Sequence, residues 1–501
     1  MSIPTQQHII NGEFVPPSSG QYIDLIDPVS GQVAGKAAAG NAADVDAAVA
    51  AAAEAFKTWK NTPTSERAGI IARMALVLGA NLEELLTLEA ACTGLGVTRL
   101  KGFDIPAVMQ FIQIFAEGLE SYPFVEYPPV RLAPEAHDVR VVKQPLGVCG
   151  LITAWNGPLF LAFLKMLPAI AAGNTVVIKP AETASLAVVR AMELMQDLLP
   201  PGVVNVVTGY GQDVGAALSS HPGVAKISFT GSGPTGAMIQ KAAADTMKRV
   251  TLELGGKGPS LVMPDAPIEL TARGATFGFL LGSGQICISG TRLFVHESIH
   301  DELVARMVEL AGNMKAGSQF APDTTLGPMA YREHYERVLG YVESGKAGGA
   351  TVACGGGPLQ VDEFPDAMFV QPTIFTDVTP DMKIYNEEIF GPVLSVIKYS
   401  DVEDAIALAN DSCYGLSAGV WTGDPIGAQA VAQQLEAGTV WVNDWHAITG
   451  DMSFGGHKQS GYGREINIAS LEGYLETKNY MTSFETDPNA KAFFGLVHQG
   501  V

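Results

Sequence analysis

The 501-residue chain is poor in positive charge. Its 31 lysines and arginines stand against 52 aspartates and glutamates, a formal net charge of −21, which disfavours nucleic acid or an anionic membrane as a partner and favours solubility. Cysteine is scarce too: Cys92, Cys149, Cys287, Cys354 and Cys413 are an odd set, widely spaced and without a CxxC pair, so neither a disulfide framework nor a zinc site is indicated. A reducing, cytoplasmic location is the expectation. Long apolar runs are missing as well. The most apolar region, "FLAFLKMLPAIAAGNTVVI", is broken by Lys165, Pro168, Gly173 and Asn174, so no membrane span is expected. The start, "MSIPTQQHIINGEF", has no basic stretch leading into an apolar core, so no export signal is expected either.

What is present describes a well-buried α/β protein: 47% hydrophobic residues, 17% charged residues and 55 glycines, in a chain long enough for two or three domains. "HIINGEFV" reads as a hairpin turning at Asn11-Gly12. "DVDAAVAAAAEAFKTWK", Asp44 to Lys60, reads as a packed helix with an acidic start. From about residue 146, β-branched runs alternate with helical stretches: "VCGLITAW", "NTVVIKP", "VVNVVTG", "AKISFTG" and "RVTLELGG". This alternation predicts a mostly parallel sheet covered by helices. The strands are expected to end at Trp155, Lys179, Gly209, Gly231 and Gly255, and ligands bind beyond the carboxyl ends of such strands.

Several residues near those ends are candidates for chemistry. "GSGQICISGTR" sets Cys287 among glycines and apolar neighbours, where a free cysteine is most often a small hydrophobe. In "ISFTGSGPTGAMIQ", Gly231, Gly233 and Gly236 match GxGxxG between a strand and a helix. Glycines there let the backbone approach a pyrophosphate, free N–H groups attract its charge, and Ser232 adds a hydroxyl. Two acids compete to hold a ribose: Glu253, after the fingerprint, and Glu182, three residues beyond Lys179. Spacing does not choose between them. "HESIH" satisfies HExxH, but His296 ends a strand-like run and Ser298 to Asp301 reads as the next helix start, so the two imidazoles share no face and no metal is expected. Cys92, Cys149, Cys354 and Cys413 read as packing residues.

The ordered set "AWNGP", "GNTVVIKPAE", "FTGSGPTG", "LELGGKGP", "GQICISGTR", "EEIFGP" and "FGGHKQSGYGRE" resembles the NAD(P)-dependent aldehyde dehydrogenase superfamily, from the hairpin to about Lys478. The resemblance implies an aldehyde dehydrogenase-like α/β fold. Its parts would be a Rossmann-variant cofactor domain (1–123 and 146–253), an α/β catalytic domain (254–459), and a small oligomerisation β-extension with a tail (124–145 and 473–501). It implies Cys287 as the nucleophile and Glu253 as the general base. Asn156 and the Cys287 backbone N–H would be the oxyanion donors. Lys165 would be a proton relay, against the plainer reading of a solvated helix lysine. By the same resemblance Glu182 and Lys179 take the adenosine ribose, Gly231 and Ser232 the pyrophosphate, and Glu388 and Phe390 the nicotinamide ribose, with Trp155 among the cofactor residues. NAD is expected over NADP, because the Glu182 carboxylate accepts bonds from a ribose diol and repels a 2′-phosphate.

The implied reaction is aldehyde oxidation to the acid through a thioester on Cys287. CoA-acylating relatives typically lack a glutamate at position 253, which weighs against that alternative; Asn156, Glu253 and Cys287 together weigh against a non-catalytic protein on this scaffold. The substrate tunnel would be lined by Gly157, Phe160, Leu161 and Leu164, by Ile286 and Ile288, and by Trp445, Ile448 and Phe454. Gly157 and Leu164 are small where many relatives carry large aromatics, so bulky apolar or aromatic aldehydes are expected. No arginine or lysine is evident in the lining, and His446 is expected to pack or face solvent. The tail keeps Phe493, Phe494, Leu496 and Val497, which are expected to dock on a neighbouring subunit of a homodimer or homotetramer.

Overall fold

The five runs predicted as strands from residue 146 form the centre of one eight-stranded sheet. In this computed structural model, which describes residues 4–129, 137–491 and 493–497, the order is Gly461–Tyr462, Arg249–Glu253, Lys226–Thr230, Val148–Ile152, Thr175–Lys179, Val204–Val206, His8–Ile10 and Glu13–Val15. Parts of the predicted β-extension 124–145 and of the predicted tail, at 130–136, 492 and 498–501, lie outside the described residues, as do 1–3. The five central strands are mutually parallel. Thr175–Lys179 is buried at every position, which is why it reads as an unbroken apolar run instead of alternating. The hairpin turns where expected, with Asn11 at φ 55° and Gly12 at φ 77°, and it joins the sheet antiparallel beside Val204–Val206.

Several boundaries differ from the sequence reading. The alanine-rich helix runs Ala42–Trp59 and is capped by Asn41, whose side chain accepts the Ala43 N–H while Asp44 reaches back to the Asn41 N–H. Asp44 therefore closes a capping box and does not start the helix. Four of the five strands also stop short of the expected residues, at Ile152, Val206, Thr230 and Glu253, so the residues after them are loop, free to face a ligand.

A second, seven-stranded sheet holds Pro259–Val262, Arg292–His296, Thr373–Thr376, Val393–Tyr399, Ser417–Trp421 and Thr439–Val442 in parallel, with Thr351–Cys354 antiparallel at one edge. Gly461–Tyr462 returns from beyond this sheet to the first one, beside Arg249–Glu253. A three-stranded sheet pairs Leu475–Ser483 with His137–Pro145 over nine residue pairs, and Val125–Glu126 flanks it. Among the described residues no helix is long and apolar enough to cross a membrane.

Candidate active site

The loops at the carboxyl ends of the first sheet meet the loop before Arg292–His296 in a cavity of about 180 Å³. Cys287, Glu253 and Asn156 all line it. Glu253 is the last residue of its strand, and Asn156 lies in the turn before the helix Pro158–Ala171. Cys287 follows a turn in which Gly282, Ser283 and Gly284 all have positive φ (59°, 58° and 72°). That left-handed run ends the preceding helix and swings the chain back toward the sheet.

Cys287 is half-buried. Burial first, and then the negative charges of Glu388 and Glu253, push its thiol up to about 12. Asn156 Nδ2 donates to the Gln285 carbonyl at 3.0 Å, which holds its amide beside the cysteine loop with a second N–H remaining on the same nitrogen. Glu253 is 4% exposed, and among the described residues neither of its carboxylate oxygens has a hydrogen-bond partner. Burial, and next the nearby Glu465, hold its carboxyl well above the usual range.

Lys165 is not solvated. It is fully buried, with Nζ 2.7 Å from Glu465 Oε1 and 3.1 Å from Ser228 Oγ. This corrects the plainer reading of a solvated helix lysine: the helix Pro158–Ala171 is buried almost all round, so it has no wet face for a lysine. Sequence reasoning missed Glu465, which also lines the cavity. The signal was its place in "FGGHKQSGYGRE", a stretch rich in glycine and charge.

The predicted cofactor residues fall into two groups. Gly231, Ser232, Glu388, Phe390 and Trp155 line the cavity. A Cβ at Gly231 would overlap the Phe229 ring, and Ser232 caps the helix Gly233–Ala244, whose first N–H groups can meet an anion. Glu388 Oε1 accepts the Gly256 N–H at 2.9 Å, and burial raises its carboxyl to about 7. Lys179 and Glu182 stand at a neighbouring strand end, outside the lining, 2.9 Å apart. Burial alone would raise the Glu182 carboxyl, but Lys179 holds it below the ordinary value. Tyr331, His334 and Arg337 also line this side. The Trp155 ring meets those of Tyr331, His334 and Phe390 at 5.3–5.6 Å. Tyr331, His334 and Arg337 recur every third position, as one helix face would, and that spacing was the signal available for them.

On the other side of Cys287 the lining includes Gly157, Phe160, Leu161, Leu164, Ile286, Ile288, Ile448 and Phe454. Trp445 does not line the cavity. Asn443 and His446 take positive φ, and the turn they make folds the indole beneath the nucleophile loop, where Nε1 donates to the Ile288 carbonyl at 2.8 Å. The expectation of a lining without arginine or lysine is also overturned, since Arg99 lines the cavity together with Phe103 and Asp104. His446 packs: it is 2% exposed, its Nε2 lies 3.2 Å from the Gly278 carbonyl, and burial lowers it to about 3. Of the thiols read as packing residues, Cys92 and Cys149 are buried and Cys354 partly so, but Cys413 is exposed. His296 ends a strand and His300 begins the next helix. Among the described residues no cluster of three or more His, Cys, Asp or Glu is placed to hold a metal ion.

Residues 14–480 match the model of the aldehyde dehydrogenase family. An aldehyde dehydrogenase of Alternaria alternata is 39% identical, covering 94% of this chain and 93% of the relative. The chloroplastic aminoaldehyde dehydrogenase of Arabidopsis thaliana is 38% identical, covering 97% and 98%. Among solved structures, the NAD+ complex of aldehyde dehydrogenase from Bacillus cereus matches at a TM-score of 0.93 with 39% identity, covering 96% and 97%. Betaine aldehyde dehydrogenase from Staphylococcus aureus, also with NAD+, matches at 0.93 with 35% identity, covering 96% of each chain. With a family model and full-length relatives both spanning the residues that meet at Cys287, the chain belongs to the aldehyde dehydrogenase family.

Proposed function

We propose that this enzyme oxidises bulky apolar or aromatic aldehydes to their carboxylic acids, with NAD in preference to NADP. The observation that carries the reading is a cavity in which a half-buried thiol, a buried carboxylate without a partner among the described residues and an amide donor meet beside an apolar arm. NAD, when bound, supplies the hydride acceptor. Glu388, Phe390, Trp155 and the capped helix after Ser232 would hold its nicotinamide and phosphate end. Glu182 and Lys179 would hold the adenosine ribose.

Glu253 takes the proton of the Cys287 thiol, the sulfur bonds to the carbonyl carbon, and the oxygen gains the electron pair and the charge. The Asn156 amide and the Cys287 backbone N–H stabilise that oxyanion; losing one such donor typically costs about 2.7–4 kcal/mol. The carbonyl re-forms as the C–H pair leaves as hydride, and a thioester remains on Cys287. Glu253 takes a proton from the water that attacks this thioester, the carbon–sulfur bond breaks, and the acid departs. Glu465, whose Oε1 is held by the Lys165 ammonium at 2.7 Å and whose charge acts on Glu253, would take the proton that Glu253 must shed. The five cysteines carry no disulfide, consistent with a reducing compartment such as the cytoplasm.

An aldehyde panel, followed by NADH formation with and without CoA, tests the reading. Large aromatic aldehydes are expected to show the highest kcat/KM, without any requirement for CoA. Gly157→Phe is expected to depress kcat/KM for them far more than for acetaldehyde. A wild-type preference for acetaldehyde or succinic semialdehyde over every large apolar aldehyde refutes the substrate class, and a CoA requirement refutes the hydrolytic step.

A further inference from the structure

We propose that Arg99, anchored by Asp104, is a positioning residue that keeps the oxyanion donor Asn156 in register with the nucleophile loop. The proposal rests on the reading of Asn156 and Cys287 given above. Arg99 grips Asp104 with two bonds, Nε to Oδ2 at 3.1 Å and Nη2 to Oδ1 at 3.2 Å, and the two side chains are only 9% and 4% exposed. The same Nη2 donates to the Asn156 backbone carbonyl at 3.0 Å. Asp104 abuts the next residue: a Cβ on Gly157 would lie 3.4 Å from its Oδ1.

The other side of the guanidinium lies on the loop that carries the nucleophile. A Cβ on Gly282 would overlap Arg99 Nη1, so the left-handed run toward Cys287 is packed directly against it. From Gln285 in that loop the circuit closes, because its carbonyl accepts the Asn156 side-chain N–H at 3.0 Å. Arg99 thus touches the main chain of the donor and the loop of the nucleophile, two segments 129 residues apart in sequence. Only a forked guanidinium can serve a carboxylate and a carbonyl together while lying flat on a glycine; a lysine ammonium has neither the reach nor the plane.

An ion pair in an apolar tunnel is expensive to bury. Burial pushes the Asp104 carboxyl upward, and the nearby Glu89 is raised to about 8. Such a pair is understandable where it fixes a geometry, and here the geometry is that of a donor that must face the oxygen where charge develops. A misplacement of about 1 Å at such a site costs on the order of 100-fold in rate.

The test is Arg99→Lys, which keeps the charge and removes the fork, measured beside Asn156→Ala and the double variant. Arg99→Lys is expected to lower kcat about 10- to 100-fold, with little change in KM for NAD or in the rate at which iodoacetamide alkylates Cys287. In the Asn156→Ala background the same substitution is expected to cost nothing further, because the amide it positions is gone; a merely structural role would add its cost in both backgrounds. If Arg99→Lys does not fold, the neutral pair Arg99→Met with Asp104→Asn, which leaves no unpaired charge, replaces it in the same cycle. A slow Asn156→Ala with a fast Arg99→Lys, or additive losses, overturns the proposal alone. Asn156→Ala at the wild-type rate overturns the oxyanion reading, and this proposal with it.

Discussion

Glu253 is the residue whose surroundings say most about the chemistry. A carboxylate shut from water, without a hydrogen-bond donor among the described residues and beside a second carboxylate, gives up its proton reluctantly. In the ionised form it is correspondingly ready to take one from water. Glu253→Gln is expected to lower kcat about 10²- to 10⁴-fold and to leave a thioester on Cys287 that mass spectrometry detects; equal turnover would refute the base assignment. The same burial sets a sign for stability. The folded-state carboxyl titrates above its unfolded value, so the folded state binds more protons in that window and loses stability as pH rises through it. Gln cannot ionise, so the variant is expected to gain thermal midpoint relative to the parent at pH 8 and not at pH 4. A gain only at pH 4 would contradict the raised carboxyl. Cys287 and Glu253 were legible because they sit in motifs. Arg99 was not: it lies five residues before Asp104, beyond a full turn of a regular helix, and only the π-turn Leu100–Asp104 sets the pair face to face.

At the scale of elements, the turn before Cys287 is the most constrained piece of backbone in the site. Gly284 takes φ 72°, and a Cβ there would overlap the Gly391 carbonyl. Gly284→Ala is expected to cost more than the about 1–2 kcal/mol of a left-handed alanine, seen as a lower denaturation midpoint together with lost turnover. A fully stable, fully active variant would show that the turn tolerates a side chain. The five parallel strands were readable because their mostly buried runs are rich in β-branched residues. Trp445 was misplaced for the opposite reason: the positive φ of Asn443 and His446 has no glycine to announce it, and the turn sends the indole under the loop instead of into the cavity.

At the scale of the whole molecule, the three-stranded sheet ends, among the described residues, on a largely exposed strand. Leu475–Ser483 is the outer strand of its three-stranded sheet, and Tyr480, Met481 and Phe484 on or beside it are 41–66% exposed, as Phe493 and Phe494 are at 68% and 53%. An outer strand with exposed apolar residues on and beside it invites a second copy. Light scattering is expected to give a dimer or tetramer, and truncation after Thr486 a smaller species with reduced activity; unchanged mass and turnover would refute the role of the tail.

The return of Gly461–Tyr462 to the edge of the first sheet bears on how the enzyme is made. The Ser460 hydroxyl that holds the Gly255 carbonyl comes 205 residues later in the chain, and the Glu465 that meets Lys165 comes 300 residues later. While the chain is being synthesised, the strand ending in Glu253 therefore has an open flank, a surface for mispairing that a chaperone would have to guard. A nascent chain can complete its hairpin and all five parallel strands while the surroundings of its base are still missing. Premature termination between Glu253 and Gly461 would release a largely formed sheet with no means of completing a turnover.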